Sequence, residues 1–471
     1  MPVVQAAWIG PGGPGLSEEA VIGYGYGATH AEATVGALGE LCEEVHAGIA
    51  ARRARRLRAS FAELAARLGA RSVCDPLTLC LSAGSTYQAD MPLHWVEAKR
   101  LSDASPVWVP LDWLPAYASQ IDEAPSLITP ITNGLGAGLD DAHAIAHGVM
   151  ELLQRDGNAV AYRALDQGVT LHLDIPPEPI VAELLARLQR LGIDVRFKLA
   201  GTDFGMADLY VVGNDRGTPL VPIQVTACGE AAHPDRDRAL RKALLEFVGS
   251  RARKAATHGP VEAVTAVMPK DYALRQLACA QHEPEEARAL AGMAEWLGLE
   301  TPQLRQLLSA SVFADRSGVA FSTLPTVAPA SVETASDRLS VLAQRLAAEG
   351  LEILTIDCSP PGGGDANPPQ DSEVRVFRVI VPGLECETMS YRRIGRRGVR
   401  RLRARNDPLL LSSPQDGALR VLMRPRDEEA AGGPAWFDAA LADRLTAPLY
   451  PLYREPGPFS AQLLRAGRRC A

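Results

Sequence analysis

Residues 133–156 read NGLGAGLDDAHAIAHGVMELLQRD, a run of small residues followed by the apolar spacing of an amphipathic helix. Two other stretches follow the same plan, GYGYGATHAEATVGALGELCEE (residues 23–44) and CGEAAHPDRDRALRKALLEFVGSR (residues 228–251). Aligning the three copies matches one helical glutamate in each of them, namely Glu40, Glu151 and Glu246. A unit that recurs three times along one chain indicates an internally repeated fold.

Each copy predicts a strand, a small-residue loop and a helix. The predicted strands are apolar and β-branched and read AVIGYGYG (20–27), SLITPITN (126–133) and LVPIQVTAC (220–228). At the step from loop to helix each copy has a residue that caps helix N-termini well: Thr29, Asp140 and Asp235. The caps fix where each helix begins and therefore where its glutamate lies along the helix.

Strands and helices alternate through the rest of the chain, which predicts an α/β (α+β) fold. Residues 51–69 predict a continuing or second helix with an arginine-rich face, and residues from about 406 predict irregular structure because prolines recur there. We divide the chain into four parts: the first part of the core with its three repeats (1–283), a helical insertion (284–330), the closing helix and strands of the core (331–405) and a proline-rich C-terminal segment (406–471).

Composition argues against several classes of protein. The net charge of −8 over 471 residues argues against a protein that binds nucleic acid through its overall charge. No apolar run approaches the roughly 20 residues of a membrane span, and the N-terminus lacks the pattern of a secretory signal. The eight cysteines contain no CxxC pair, so they predict neither a disulfide framework nor a zinc site. We expect a cytoplasmic protein.

Residues 392–405, RRIGRRGVRRLRAR, place eight arginines in one predicted helix. Because the chain as a whole is acidic, we interpret this helix as a solvated face or as an anchor for an acidic peptide rather than as a nucleic-acid site.

The repeated helices also suggest the chemistry of a site. Glu40 and Glu43 are three residues apart and project from one face of their helix, and Glu151 and Gln154 have the same spacing in the second copy. Three helices that each present oxygen atoms to one centre suit a hard cation such as Mg²⁺. The loops before them have small residues, and a helix N-terminus favours an anion. These features predict Mg²⁺ together with a phosphate-bearing nucleotide.

On these residues the chain resembles the YcaO family, from about residue 22 to residue 405. ITNGLGAGLDDAHAIAHGVMELLQRD (131–156) is similar to the family's SNGxxAGxxxxEAxxxGxxExxER, and GYGATHAEATVGALGELCEE (25–44) is similar to its earlier GxGxxxxxAxxSAxxExxER. ALRKALLEFVGSR (239–251) resembles its RAxxExxQSR. The resemblance implies a YcaO-type fold with the repeats around a central nucleotide site, which binds ATP with two or three Mg²⁺ ions.

Position in these motifs implies the roles of individual residues. The implied metal ligands are Glu40, Glu43, Glu151, Gln154 and Glu246. The implied nucleotide-binding residues are Asn133, Gly134, Arg155, Lys242 and Glu246. The chain departs from the family's pattern at five positions. Glu44 and Lys242 stand where an arginine is usual, and His143 and Gln154 stand where a glutamate and a carboxylate are usual. Gly249 stands where a glutamine is usual.

The resemblance implies an enzyme that phosphorylates a backbone amide in a ribosomally made peptide, so that a nucleophile attached to or added to the peptide gives an azoline, amidine or thioamide. The implied partners are the precursor peptide and a leader-binding or sulfur-delivery protein, and we expect a homodimer. The departures keep an alternative open, a YcaO-fold protein that binds a peptide or partner without ATP-dependent catalysis.

Overall fold

The structure of the chain is a computed structural model. It describes residues 1–8, 21–123, 127–260, 284–360, 374–386 and 392–465. Helices and strands alternate along these residues, which confirms the predicted α/β class. No helix among the described residues has the length and apolar character needed to cross a bilayer.

The strands are β1 (Val3–Trp8), β2 (Val21–Tyr26), β3 (Leu57–Ser60), β4 (Pro92–Arg100), β5 (Pro106–Pro110), β6 (Leu135–Gly138), β7 (Val169–His172), β8 (Ile193–Gly201), β9 (Ala207–Asp215), β10 (Cys228–His233), β11 (Ser317–Ala320), β12 (Leu354–Asp357), β13 (Arg375–Ile380), β14 (Leu410–Leu411), β15 (Ala418–Arg420) and β16 (Trp436–Asp438). The α-helices are α1 (His30–Arg53), α2 (Phe61–Leu68), α3 (Asp141–Asn158), α4 (Pro179–Arg190), α5 (Arg236–Thr257), α6 (Pro284–Trp296), α7 (Thr301–Leu308), α8 (Ala335–Ala348), α9 (Arg396–Ala404), α10 (Pro425–Ala430), α11 (Ala439–Thr446), α12 (Tyr450–Tyr453) and α13 (Ser460–Arg465).

The strand of each repeat lies at the edge of a different sheet. β2 pairs antiparallel with β1, β6 ends a sheet in the order β3-β4-β12-β13-β6 with β5 beside β4, and β10 ends a sheet in the order β10-β9-β8-β7-β11. Each edge strand is followed within a few residues by the helix of its repeat, α1, α3 or α5. The three helix N-termini are capped as predicted, by the side chains of Thr29, Asp140 and Asp235.

Two of the three predicted repeat strands were misplaced. The described part of residues 126–133 contains no strand, and residues 222–226 form a 3₁₀ helix. The true strands β6 and β10 lie in the small-residue stretches that were predicted to be loops. The physical reason is close packing, because each strand has a glycine at which a Cβ atom would overlap a helix carbonyl: Gly25 under Ala33, Gly136 under Ala144 and Gly229 under Ala243. The small residues therefore serve the contact between strand and helix.

The structure bears on three other expectations. Of the two possibilities for residues 51–69, a second helix is correct, since strand β3 separates α2 from α1. Residues 406–465 contain regular structure where irregular structure was expected, since β14, β16 and β15 form a sheet in which Phe437 is fully buried. Residues 284–330, expected as a helical insertion, contain the helices α6 and α7 and also β11, which pairs in parallel with β7. The proline- and glycine-rich stretch CSPPGGGDANPPQDS (358–372), whose composition predicts a loop, lies mostly outside the described residues.

The arginine-rich helix α9 is held by ion pairs within the protein, so the interpretation as a solvated face or peptide anchor was wrong for its central arginines. Arg397 donates to both carboxylate oxygens of Asp156, at 2.9 and 3.0 Å, and Arg401 donates to Asp156 and Asp203. Asp156 is fully buried near the end of α3. These ion pairs fasten α9 to the helix of the second repeat.

Candidate active site

Each repeat glutamate accepts a hydrogen bond from a backbone N–H of its own strand or of the turn before it. Glu40 accepts from Tyr24, and Glu151 accepts from Gly134 at 2.8 Å. Glu246 accepts from the N–H of Glu230. The three glutamates that the alignment matched are therefore held in the same way, which supports the alignment independently of sequence similarity.

The three repeats are joined to one another at the carboxylates. The first repeat meets the second where Glu43 accepts from the N–H of Ala137 at 2.8 Å. The second meets the third where Arg155 donates to Glu230 at 3.1 Å. The third meets the first where the Tyr26 hydroxyl donates to Glu246 at 2.7 Å. These contacts form a closed ring, so three distant stretches of sequence meet at their carboxylates.

Burial and mutual repulsion disfavour ionisation of these carboxylates. Burial raises the pKa of Glu43 to about 8, with further increases from the charges of Glu151 and Glu40. Burial likewise raises the pKa of Glu246 to about 7, with Glu230 adding to the effect. The pKa of Glu40 is also raised, by burial and by Glu151, although the N–H of Tyr24 opposes the rise. A cluster of acids in this state is stabilised by a cation.

The chemistry of the cluster fits Mg²⁺. Among the described residues, no three His, Cys, Asp or Glu side chains are arranged to hold a metal ion by themselves. Mg²⁺ seldom requires such an all-protein cage, because it keeps several waters and binds through one or two carboxylates plus the phosphates of a substrate. Glu40, Glu43, Glu151 and Glu246 would supply those carboxylates.

The predicted nucleotide-binding residues lie close to these carboxylates or to their immediate neighbours. Gly134 has a φ of +85° and places its N–H on Glu151, while the carbonyl of Asn133 accepts from Arg378 at 2.6 Å. Arg155 reaches both Glu230 and Glu151, the latter at 3.7 Å. Lys242 lies one turn before Glu246 on α5, and its charge lowers the pKa of that glutamate. The structure thus brings all of the predicted site residues into one region.

Two of the departures from the family's pattern have a structural explanation. A Cβ atom at Gly249 would lie 2.9 Å from the Cβ of Tyr26, so a side chain there would displace the tyrosine that donates to Glu246. Gln154 is buried and hydrogen-bonds Glu230. Gly249, three residues after Glu246, therefore serves packing. Gln154, three residues after Glu151, binds the neighbouring carboxylate of Glu230.

Sequence reasoning missed two acidic residues of the site. Glu44, which stands where the family has an arginine, is buried and accepts from the Tyr117 hydroxyl at 2.6 Å. Burial raises the pKa of Glu44 to about 8, and the charge of Glu40 adds to the rise. Glu230 was part of the quoted third copy but was given no role. A carboxylate inside a predicted apolar or small-residue stretch was the available signal for Glu230.

This chain is similar to known proteins in sequence and in fold. A family model described as YcaO cyclodehydratase, ATP- and Mg²⁺-binding, matches residues 24–385. An uncharacterised protein from Methanothermobacter thermautotrophicus is 25% identical over 324 residues, which are 69% of this chain and 73% of that protein.

Two solved structures share the fold. A heterocyclase in complex with substrate and cofactor superposes with a TM-score of 0.56 at 18% identity, over 78% of this chain and 45% of the heterocyclase chain. This chain therefore spans less than half the length of that heterocyclase. The YcaO protein from Methanopyrus kandleri, bound with AMPPCP and Mg²⁺, superposes with a TM-score of 0.51 at 20% identity, over 81% of this chain and 86% of that chain.

The matched residues contain every predicted site residue and all three repeats except the first residues of the first one. The description of the family as ATP- and Mg²⁺-binding confirms the predicted cofactors. With the model matched over most of its length and the fold shared with solved members, this chain belongs to the YcaO family.

Proposed function

We propose that this chain uses ATP and Mg²⁺ to activate a backbone amide in a ribosomally made peptide. The observation that carries the proposal is the set of hydrogen bonds that hold Glu40, Glu43, Glu151 and Glu246 where the three repeats meet. The match to a family described as cyclodehydratases supplies the class of reaction.

The residues of the site divide into two groups by charge. The four carboxylates would hold Mg²⁺, which neutralises the phosphates of the nucleotide. Arg155 and Lys242 are the cations of the site and would contact the phosphates directly. A guanidinium suits this role because its fork of donors matches two phosphate oxygens at once.

The reaction follows from the poor leaving ability of an amide oxygen. The amide oxygen attacks the γ-phosphorus of ATP. A bond forms between the amide oxygen and this phosphorus, and the bond between the phosphorus and the bridging oxygen breaks to release ADP. A nucleophile then adds to the activated carbon, and the former amide oxygen leaves as part of inorganic phosphate. An internal Cys, Ser or Thr gives an azoline and an amine of the same peptide gives an amidine, with loss of water from the peptide in both cases. External sulfide gives a thioamide.

We infer a precursor peptide as the substrate, with a leader-binding or sulfur-delivery protein as a further partner and a homodimer as the assembly. The inference of a peptide substrate rests on the match to a family described as cyclodehydratases. The raised pKa values of Glu43 and Glu246 support the requirement for Mg²⁺, because binding of the cation favours the charged carboxylates.

The test is turnover with a candidate precursor peptide, ATP and Mg²⁺, followed by phosphate release and mass spectrometry of the peptide. We expect wild-type protein to release phosphate in proportion to peptide converted, with the mass of one water lost or with sulfur in place of oxygen. The variant Glu151→Gln should lose both signals, whereas Glu349→Gln, at an exposed position after α8, should keep them. Peptide conversion by wild-type protein without ATP would overturn the proposal.

A second candidate function is peptide or partner binding without catalysis. The observation in its favour is that Arg155 already pairs with Glu230, while Gln154 supplies no carboxylate. This function predicts peptide binding that is unchanged by Glu151→Gln and is not accompanied by phosphate release. Calorimetry of the same peptide with wild-type and variant protein distinguishes the two functions.

A further inference from the structure

Glu230 occupies a position that is not acidic in the other two repeats. With Glu246 aligned on Glu151 and Glu40, Glu230 falls on Leu135 and Tyr24. It lies on the edge strand β10 and is 6% exposed. Because the same place accommodates leucine or tyrosine in the other copies, the repeat itself does not require a charge there.

Glu230 is surrounded by donors from the second repeat and the turn that follows it. One carboxylate oxygen is 3.1 Å from Arg155 and 3.5 Å from Arg163, and the other accepts from the Asn158 amide. Gln154 also hydrogen-bonds this carboxylate. Three of these donors lie on the last turns of α3, so the second repeat is built to receive a carboxylate from the third.

Arg155 is held between two acids of different repeats. Its guanidinium lies 3.1 Å from Glu230 and 3.7 Å from Glu151, the repeat glutamate of its own helix. Its side chain is 20% exposed, while that of Glu230 is 8% exposed. The anchoring carboxylate is therefore the more deeply buried partner, and the guanidinium keeps access to the site.

Arg163 is constrained as well. It has a φ of +57°, in the left-handed region, and its guanidinium lies over the rings of Tyr162 and Tyr453 at 4.9 and 5.2 Å. A second cation fixed on the same carboxylate offsets the cost of burying Glu230 and leaves that residue in one position.

We propose that Glu230 is a positioning residue that holds the Arg155 guanidinium at the seam between the second and third repeats, oriented towards the phosphates of the nucleotide. This inference rests on the proposed function, since it assigns Arg155 to the phosphates. It adds Glu230, Asn158 and Gln154 as the residues that prepare Arg155 before the nucleotide arrives. An apolar residue would satisfy a purely structural role at this place, as Leu135 does in the second repeat.

The test compares Glu230→Gln with Asp215→Asn as a matched control. Asp215 is also a buried acid in the same sheet, where it pairs with Arg251 at 2.7 Å. Loss of the Glu230 charge should raise the Kd for Mg²⁺·AMPPCP and the KM for ATP roughly tenfold, with a smaller change in kcat. The control should leave both within about twofold. Glu230→Asp should recover part of the affinity, since it restores the charge.

A double-mutant cycle with Arg155→Ala examines whether Glu230 acts through Arg155. We expect Glu230→Gln to add less than about twofold to the loss caused by Arg155→Ala alone, because both changes remove the same function. Independent, multiplicative losses would overturn the proposal, as would a Glu230→Gln protein that binds nucleotide as tightly as wild type.

A measurement without nucleotide separates this proposal from the proposed function. The NMR signal of the Arg155 guanidinium, identified by its absence from Arg155→Lys, should show hindered rotation in wild type and free rotation in Glu230→Gln. If wild type binds no nucleotide, the proposed function fails. The claim that Glu230 orients Arg155 towards nucleotide phosphates then fails as well. If wild type binds nucleotide and the Arg155 signal is unchanged in Glu230→Gln, the positioning proposal alone fails.

Discussion

Removal of the Glu43 charge should stabilise the metal-free protein at alkaline pH. Glu43 accepts a hydrogen bond from Ala137 and lies near the charges of Glu151 and Glu40, and its side chain is 17% exposed. The variant Glu43→Gln keeps the shape and an accepting oxygen but cannot ionise. It therefore isolates the free-energy cost of charging this position in the absence of a cation.

The pKa gives the size and the sign of the effect. The pKa rises from 4.5 to about 8 on folding, so the folded state holds a proton that the unfolded chain has lost between these values. Stability must therefore fall as the pH rises through this window, and the full penalty is present above about pH 8. At about 1.4 kcal/mol per pKa unit the limit is about 5 kcal/mol. Because water reaches part of the side chain, we expect about 2 kcal/mol or more.

The assay is urea unfolding in EDTA at about pH 5.5 and about pH 8.5. Wild type should lose free energy of unfolding between the two values, whereas Glu43→Gln should lose less and should be the more stable protein at the higher pH. Glu349→Gln, on an exposed position, serves as the control. Mg²⁺ with nucleotide should restore wild type more than the variant. The reasoning is refuted if Glu43→Gln is no more stable than wild type at the higher pH.

Three further changes test the account of the repeats. Gly136→Val should lower the free energy of unfolding in urea by about 3 kcal/mol, because its Cβ would overlap a carbonyl of α3. Gly39→Ala should raise it by up to about 1 kcal/mol, because outside its own helix no atom lies within 4 Å of the added Cβ. Equal effects of the two changes would contradict the packing argument. Asp156→Asn should cost about 3 kcal/mol by the same measurement, since it leaves two half-buried arginines of α9 without their buried carboxylate. A neutral result would mean that the ion pairs do not hold α9. Tyr26→Phe removes a hydrogen-bond donor that lowers the pKa of Glu246. Nucleotide binding, measured as a function of pH, should therefore require a higher pH in the variant than in wild type. An unshifted pH profile would argue against this contact.

The repeated unit could be predicted from sequence because its signals are local. Thr29, Asp140 and Asp235 cap their helices as expected, and Glu40, Glu151 and Glu246 are all held by backbone N–H groups near the preceding strands. Caps and spacing along a helix depend on nearby residues, so one sequence suffices to place them.

The strands of the second and third repeats could not be placed in the same way. Gly136 and Gly229 lie in strands only because a helix packs against the backbone there, and glycine-rich stretches otherwise indicate loops. The apolar stretch at residues 220–228 was a better strand by composition and yet mostly forms a 3₁₀ helix and its flanks. Tertiary packing decided both cases, and it has no local signature.

The roles of individual charged residues were the least predictable part of the site. Arg155 is predicted to bind the nucleotide, but its partner Glu230 comes from another repeat, 75 residues further along the chain. Arg397 and Arg401 gave the strongest charge pattern in the sequence, yet both are bound to Asp156. A charge pattern predicts how polar a helix is, whereas the identity of its partner depends on the folded chain.

The central claim is that each of the three repeats contributes at least one carboxylate to a single Mg²⁺-dependent nucleotide site, and calorimetric titration of AMPPCP tests it most directly. We predict one nucleotide bound per chain in the presence of Mg²⁺, with binding lost in EDTA. Glu40→Gln, Glu151→Gln and Glu246→Gln should each weaken it by about tenfold or more in protein that remains folded by circular dichroism. Binding that is equally tight in EDTA, or a variant among the three that binds as wild type does, would contradict the claim.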